Sequence, residues 1–244
     1  MEKTCLIIPC YNESERLDTQ AYLSELYNNP NLTLIFVNDG SNDTTLDVLL
    51  HFFSKCNSQV QDRIHILSYL QNKGKATAVQ RGLLWANAMA CNAQLPTFVI
   101  DCKLIGNGVI DANYFGFWDA DLATPLSELA WFYHLAKDTN PDMIIGSRVA
   151  RLGSKIERTV FRHYSGRLFA TFISQGLGWK VHDTQCGAKI FKSHLIPICI
   201  EQPFKTSWLF DVEMLLRMKK HFGKNAIDLV TEPTYQRLLV KLER

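Results

Sequence analysis

The chain has 244 residues, 47% of them hydrophobic, which is enough to enclose a large α/β core and excludes an extended disordered chain. Lys plus Arg number 26 against 24 Asp plus Glu, so the net charge of +2 excludes whole-surface attraction to nucleic acid or membrane. Seven cysteines, an odd number with no C-x-x-C pair, argue against a disulfide framework or zinc site and fit a reducing cytoplasm.

The first residues, MEKTCLIIPC, hold too few apolar side chains before proline for a signal peptide. No stretch approaches the roughly 18 to 20 apolar residues of a membrane span, so a cytoplasmic, soluble or at most peripheral protein is expected. Residues 4 to 9, TCLIIP, predict a strand buried on both faces and stopped by Pro9. Leu17, Tyr22, Leu23, Leu26 and Tyr27 fall at helical spacing, and LTLIFV at 32 to 37 predicts the second strand. Asp43, Thr44 or Thr45 can cap the next helix, whose inner face is Leu46, Leu49, Leu50 and Phe53. A third strand over 63 to 68 precedes a helix from about Lys75 to Ala93 with a face rich in small residues.

Strand, loop and helix thus repeat in the pattern of a parallel sheet wound with helices. Residues 96 to 114 break the rhythm and read as an inserted hairpin or extended loop, because such connections normally need only about two to six residues. FGFWDADLATP at 115 to 125 then predicts a strand running into Asp119 and Asp121, with a helix opening at Pro125. A strand over 142 to 147 ends on Arg148. CGAKIF and a helix around Phe210 to His221 suggest a smaller mixed part folded against the sheet. The expected organisation is one domain with two halves, 1–125 and 126–244.

PCYNE, NDGS, KGKA and DAD all fall at the C-terminal ends of predicted strands, the edge where open α/β sheets collect ligands. Two aspartates one residue apart can hold a hard divalent cation through oxygen, glycine allows close backbone approach, and lysine compensates a pyrophosphate. No dinucleotide-binding or P-loop glycine pattern follows any strand. Taken singly, Asp39-Gly40 also reads as a turn and Lys73-Gly74-Lys75 as a solvated loop. From Arg158 to Phe172, arginines alternate with aromatic residues. That mixture suits a helix in a bilayer interface, or equally one packed on the protein with its arginines toward substrate phosphates. The basic cluster is too small for a nucleic-acid partner.

LIIPCYNESERL, FVNDGSNDTT, NKGKATAVQRG, WDADLATP, IIGSR, DTQCGAKIF and WLFDVEMLLR stand in an order and spacing that resembles family 2 of the glycosyltransferases. The likeness is to the polyprenyl-phosphate branch, and within it to dolichyl-phosphate glucosyltransferases. It implies an α/β GT-A fold, with a Rossmann-like, mostly parallel sheet, helices on both faces and a smaller mixed acceptor lobe. The implied activity is inverting transfer of a hexose from a nucleotide sugar to a lipid phosphate at the membrane surface.

Position by position, the resemblance implies that Pro9, Tyr11, Glu13 and Asp39 line the base and ribose, with Lys75 near the phosphates. Asp119 and Asp121 would hold Mg²⁺ or Mn²⁺, and Arg148 would face donor or acceptor phosphate. Asp183, Gln185, Cys186-Gly187, Trp208, Asp211 and Glu213 fall in acceptor-side motifs. This makes Asp121, Arg148 and Asp211 the candidate catalytic residues, and Ala123 tilts the donor toward UDP-glucose. A phosphate monoester acceptor is already ionised near neutral pH and needs positioning alone, whereas a saccharide hydroxyl needs a base, for which Asp211 or Glu213 is the candidate. Transfer to a saccharide hydroxyl is the alternative enzymatic reading, and a sugar-nucleotide-binding protein without turnover is the alternative of another class.

Overall fold

In the computed structural model, which describes residues 2–146 and 183–232, the predicted apolar runs become the parallel centre of one sheet. The strands are β1 (Thr4–Cys10), β2 (Leu32–Asp39), β3 (Ile64–Tyr69), β4 (Lys103–Ile105), β5 (Tyr114–Trp118), β6 (Met143–Ile145), β7 (Ala188–Lys192) and β8 (Val230–Thr231). They lie in the order β4-β3-β2-β1-β5-β7-β6-β8. β3, β2, β1 and β5 run parallel, while β4 and β7 are antiparallel to their neighbours. Because β5 pairs with β7, both halves of the chain contribute to this single sheet. Arg148 and the stretch 158–172 lie outside the described residues.

Helices cover both faces, which is why β2 and β3 are buried at every position. On one face, α1 (Thr19–Asn28) and α2 (Thr45–Lys55) bring Tyr22 and Phe52 edge-on to Phe36, at 5.1 and 5.9 Å. α1 is capped by Asp18, whose carboxylate accepts from the Ala21 N–H. A short helix, α3 (Ser58–Gln61), leads into β3. On the other face lies α4 (Lys75–Cys91), whose small residues let it sit close on the sheet. A Cβ on Gly82 would come within 2.5 Å of an Ile7 methyl. β5 continues through a turn and a 3₁₀ segment (Leu126–Glu128) into α6 (Leu129–Thr139), where Phe132 packs on Trp118 at 5.3 Å.

Two expectations change. Pro9 does not stop β1, which continues to Cys10: β5 pairs with it only as far as Ile7, so Pro9 lies beyond the last rung on that side. The 96–114 segment is neither a plain loop nor a hairpin. It forms the short helix α5 (Thr97–Ile100) and then β4, which pairs with β3 and becomes the edge of the sheet.

Beneath this edge His65 is fully buried, tilted against Trp85 at 5.1 Å, and neither ring nitrogen reaches a hydrogen-bond partner. Burial pushes its pKa down to about 4, against an opposing effect of the nearby Gly106 backbone. Above pH 6.5 both folded and unfolded chains hold it neutral, and it contributes no pH dependence. Between 6.5 and 4 the unfolded chain binds a proton that the native state refuses, so stability falls as pH falls, by up to about 3 kcal/mol. Chemical denaturation of the parent chain and of His65→Leu across this range should show the parent losing stability relative to the variant as pH drops. Parallel curves would refute this role for His65.

Candidate active site

The chain passes from β1 to β2 and β3 on one side and returns to β5 on the other, so the sheet's switch point lies between β1 and β5. Tyr11 and Glu13 follow β1, Asp39 ends β2, Lys75 starts α4 and Asp119 follows β5, so the predicted residues converge on this C-terminal edge. The β1 and β2 loops are laced together: Asn12 N–H donates to Ser41 Oγ (3.0 Å), Asn42 N–H to Asn12 Oδ1 (2.9 Å) and Glu13 N–H to Thr45 Oγ1 (2.8 Å). The helix-capping role expected of Asp43 to Thr45 takes a different form. Thr44 makes no side-chain cap, and Asp43 instead accepts from Thr45 and from Ser14, which belongs to the β1 loop.

Asp39 is 2% exposed and accepts from the N–H groups of Lys73 (3.0 Å) and Gly74 (2.7 Å), so it fixes the loop that delivers Lys75. Burial raises its proton affinity, while the two N–H groups and then Arg81 lower it. Arg81 is a residue that the sequence reading missed. Its guanidinium stacks on Tyr69 at 4.1 Å and its Nε is buried without a partner. Asp39 and Arg81 therefore set an acceptor beside a cationic donor.

Lys75 Nζ pairs with Asp119 Oδ1 at 2.5 Å. Asp119 N–H donates to the Gly187 carbonyl (2.9 Å), and a Cβ on Gly187 would fall 1.8 Å from Asp119 Oδ2, so any side chain there would displace the Asp119 carboxylate. Tyr22 donates to the Ala120 carbonyl (3.2 Å) from below. Leu122 takes a left-handed φ of 50°, unusual for a bulky side chain, and Asp121 accepts from the Ala123 N–H (3.0 Å) while staying exposed. Glu13 shares this electrostatic neighbourhood. Burial raises its pKa, Arg16 lowers it, and Asp121 and Asp119 raise it again; its Oε2 is buried and unpartnered.

These oxygens fit a hard divalent cation. Among the described residues no group of three His, Cys, Asp or Glu could hold a metal by itself. Mg²⁺-type sites characteristically take one or two carboxylates and complete their shell with substrate phosphates and water.

Of the residues expected on the acceptor side, Asp211 lies in the first turn of the helix Phe210–Phe222, 4% exposed. Its Oδ2 stands 3.4 Å from the buried Lys189 ammonium, which also donates to the Cys186 carbonyl at 2.6 Å. Its Oδ1 has no partner. Burial raises its proton affinity, Lys189 and then Lys75 lower it, and Asp119 raises it, so Asp211 senses the donor-side charges. Glu213 is otherwise engaged, with Oε2 accepting from the Lys205 N–H (2.9 Å) and Oε1 from Arg217 (2.8 Å). Of the two, it is Asp211 that keeps an oxygen without a hydrogen-bond partner, and that oxygen is buried. Trp208 is 79% exposed, Gln185 is half-buried beside Cys186, and the Asp183 N–H donates to Glu232 (2.8 Å).

Residues 5–89 match the sequence profile of glycosyl transferase family 2. Dolichyl-phosphate beta-glucosyltransferase ALG5C of Trichomonas vaginalis is 29% identical over 226 residues, covering 87% of this chain and 58% of that protein. The Saccharomyces cerevisiae dolichyl-phosphate beta-glucosyltransferase is 26% identical, covering 86% of this chain and 61% of that protein. The chain thus spans about three-fifths of the length of these relatives. Among solved structures, Mycobacterium tuberculosis glucosyl-3-phosphoglycerate synthase in complex with UDP superposes with a TM-score of 0.59 at 15% identity, covering 99% of this chain and 75% of that one. The same synthase with Mn²⁺, UDP-glucose and phosphoglyceric acid gives 0.58 at 16% identity, covering 99% and 75%. S. aureus TarS gives 0.51 at 14% identity, covering 96% of this chain and 58% of that one. The fold is the GT-A type. Among the described residues, no helix is long and apolar enough to cross a membrane.

Proposed function

We propose that this GT-A-fold chain, family 2 in its donor half, is a divalent-metal-dependent, inverting hexosyltransferase that takes its sugar from a uridine diphosphate sugar, with glucose the favoured hexose. The observation that carries this reading is the Lys75–Asp119 ion pair at the switch point of the sheet, with Asp121 two residues on and Asp211 near enough to respond to both charges. Asp39 can accept from the N3–H of uracil while Arg81 donates to a neighbouring ring carbonyl. Asp119 and Asp121 would hold Mg²⁺ or Mn²⁺, and such an ion supplies charge neutralisation for the departing diphosphate. Lys75, which pairs with Asp119, supplies a cation for the β-phosphate, and Arg148 serves acceptor or donor phosphate. The C1–O bond to the β-phosphate breaks as the acceptor oxygen bonds C1 from the opposite face.

For the acceptor, a hydroxyl group, on a saccharide or a small phosphorylated hydroxy acid, accounts for the partnerless Asp211 Oδ1. Once acceptor binding opens contact with this buried oxygen, it takes the hydroxyl proton as the new bond forms, while Lys189 holds the other oxygen. The glucosyl-3-phosphoglycerate synthase complexes support an acceptor that is not a lipid. The second reading, transfer to a dolichyl or polyprenyl phosphate, is supported by the names of the sequence relatives. It is also supported by the burial of Asp211 against Lys189, which suits a structural ion pair.

Calorimetry should show UDP-glucose binding that requires Mn²⁺ and exceeds binding of GDP-mannose. Product analysis with a saccharide, phosphoglycerate and a short polyprenyl phosphate then assigns the acceptor. No binding of any sugar nucleotide in the presence of Mn²⁺ would sink the reading.

A further inference from the structure

The segment between the short helix Ile196–Cys199 and the helix Phe210–Phe222 carries no regular structure, yet its carbonyls are taken up from two directions. From α4, Gln80 is 4% exposed and donates both Nε2 hydrogens, to the Ile200 carbonyl (2.7 Å) and the Gln202 carbonyl (2.8 Å). From the other helix, Arg217 donates to the carbonyls of Cys199 (2.8 Å), Gln202 (2.7 Å) and Pro203 (2.8 Å), and stacks on Phe204 at 4.7 Å. Glu213 bonds Arg217 and accepts from the Lys205 N–H, and Phe204 packs on Phe210 at 5.5 Å. An irregular loop whose carbonyls are taken up by buried Gln80 and half-buried Arg217 is held in one conformation.

The helix that supplies Gln80 begins with Lys75, the partner of Asp119. Five residues of helix separate the two contacts by about 7.5 Å along a rigid axis. The loop leads directly to exposed Trp208 and buried Asp211. One helix therefore sets the position of the loop against that of the acidic pair.

We propose that Gln80 and Arg217 are positioning residues that fix the 199–206 loop as the acceptor-side wall, holding Trp208 and Asp211 at a set distance from the Asp119–Asp121 pair. This rests on the transferase reading, whose failure shows separately as absence of transfer by the unmodified chain. Gln80→Met keeps length and volume while deleting both bonds. It should speed amide hydrogen exchange at Lys205 and Thr206 and raise the acceptor KM about tenfold, as expected for the loss of two net hydrogen bonds, with Mn²⁺-dependent UDP-glucose affinity unchanged. Should Gln80→Met fail to fold, Arg217→Lys, which retains the charge and loses the fork, provides the same measurements. Unchanged exchange would overturn the proposal, as would faster exchange with acceptor KM unmoved. Equal loss of donor and acceptor binding would also overturn it, by showing a clamp on the fold as a whole.

Discussion

Asp121→Ala is expected to abolish Mn²⁺-dependent binding of UDP-glucose and to lower kcat/KM on the order of 10³-fold, since several kcal/mol of leaving-group stabilisation depend on the ion. Folding should barely change. Asp121 is exposed, and the hydrogen bond it accepts from the Ala123 N–H is worth about 1 kcal/mol, which shifts the unfolding midpoint of a chain this size by only about 2–4 °C. Asp119→Ala would make a poorer test, because Asp119 also anchors Lys75 and packs against Gly187. Calorimetry with and without Mn²⁺, beside a thermal melt, separates loss of the ion from loss of the fold. A variant with unchanged turnover would remove Asp121 from the mechanism.

The convergence of the strand-end loops on one edge of the sheet was legible in the sequence because its signals are local. Apolar runs such as LTLIFV end in polar residues, and in a parallel sheet every such end points to the same edge. Asp39, Lys75, Asp119 and Asp121 converge for that reason. The residues expected on the acceptor side were less legible because their surroundings depend on tertiary partners. Glu213 and Asp211 lie two residues apart in one helical turn and looked interchangeable as bases. The structure separates them, with Glu213 consumed by Lys205 and Arg217 and Asp211 keeping one oxygen free.

Lys189 in CGAKIF read as a residue of an ordinary strand, and nothing in its spacing shows that it is buried opposite an acid from a distant helix. Arg81 sits six residues into α4, where an arginine normally reads as solvated; its stacking on Tyr69 becomes visible only once β3 and α4 are side by side. The 96–114 segment was recognisable as an insertion, but its pairing with β3 is a long-range choice that a three-residue strand does not announce.

Asp211→Asn separates the two acceptor readings. The substitution keeps the side-chain shape and an oxygen for Lys189 while removing the ability to take a proton at Oδ1. If the acceptor oxygen is a hydroxyl, kcat should fall by about 10² to 10⁴-fold with donor affinity unaltered, the range expected for loss of a general base. If it is a phosphate monoester, whose second ionisation lies near 6, the nucleophile is already charged and kcat should hold within a few-fold. The unpaired Lys189 is the confounding factor. Leaving a buried cation without its counter-ion costs about 3–5 kcal/mol, which could mimic a catalytic defect by loosening the loop that precedes the helix. The double variant Asp211→Asn with Lys189→Met removes that buried charge, so recovery of activity in it would assign the pair to structure. Continued loss with a hydroxyl acceptor, and intact Mn²⁺-dependent UDP-glucose binding, would assign the missing proton acceptor to Asp211.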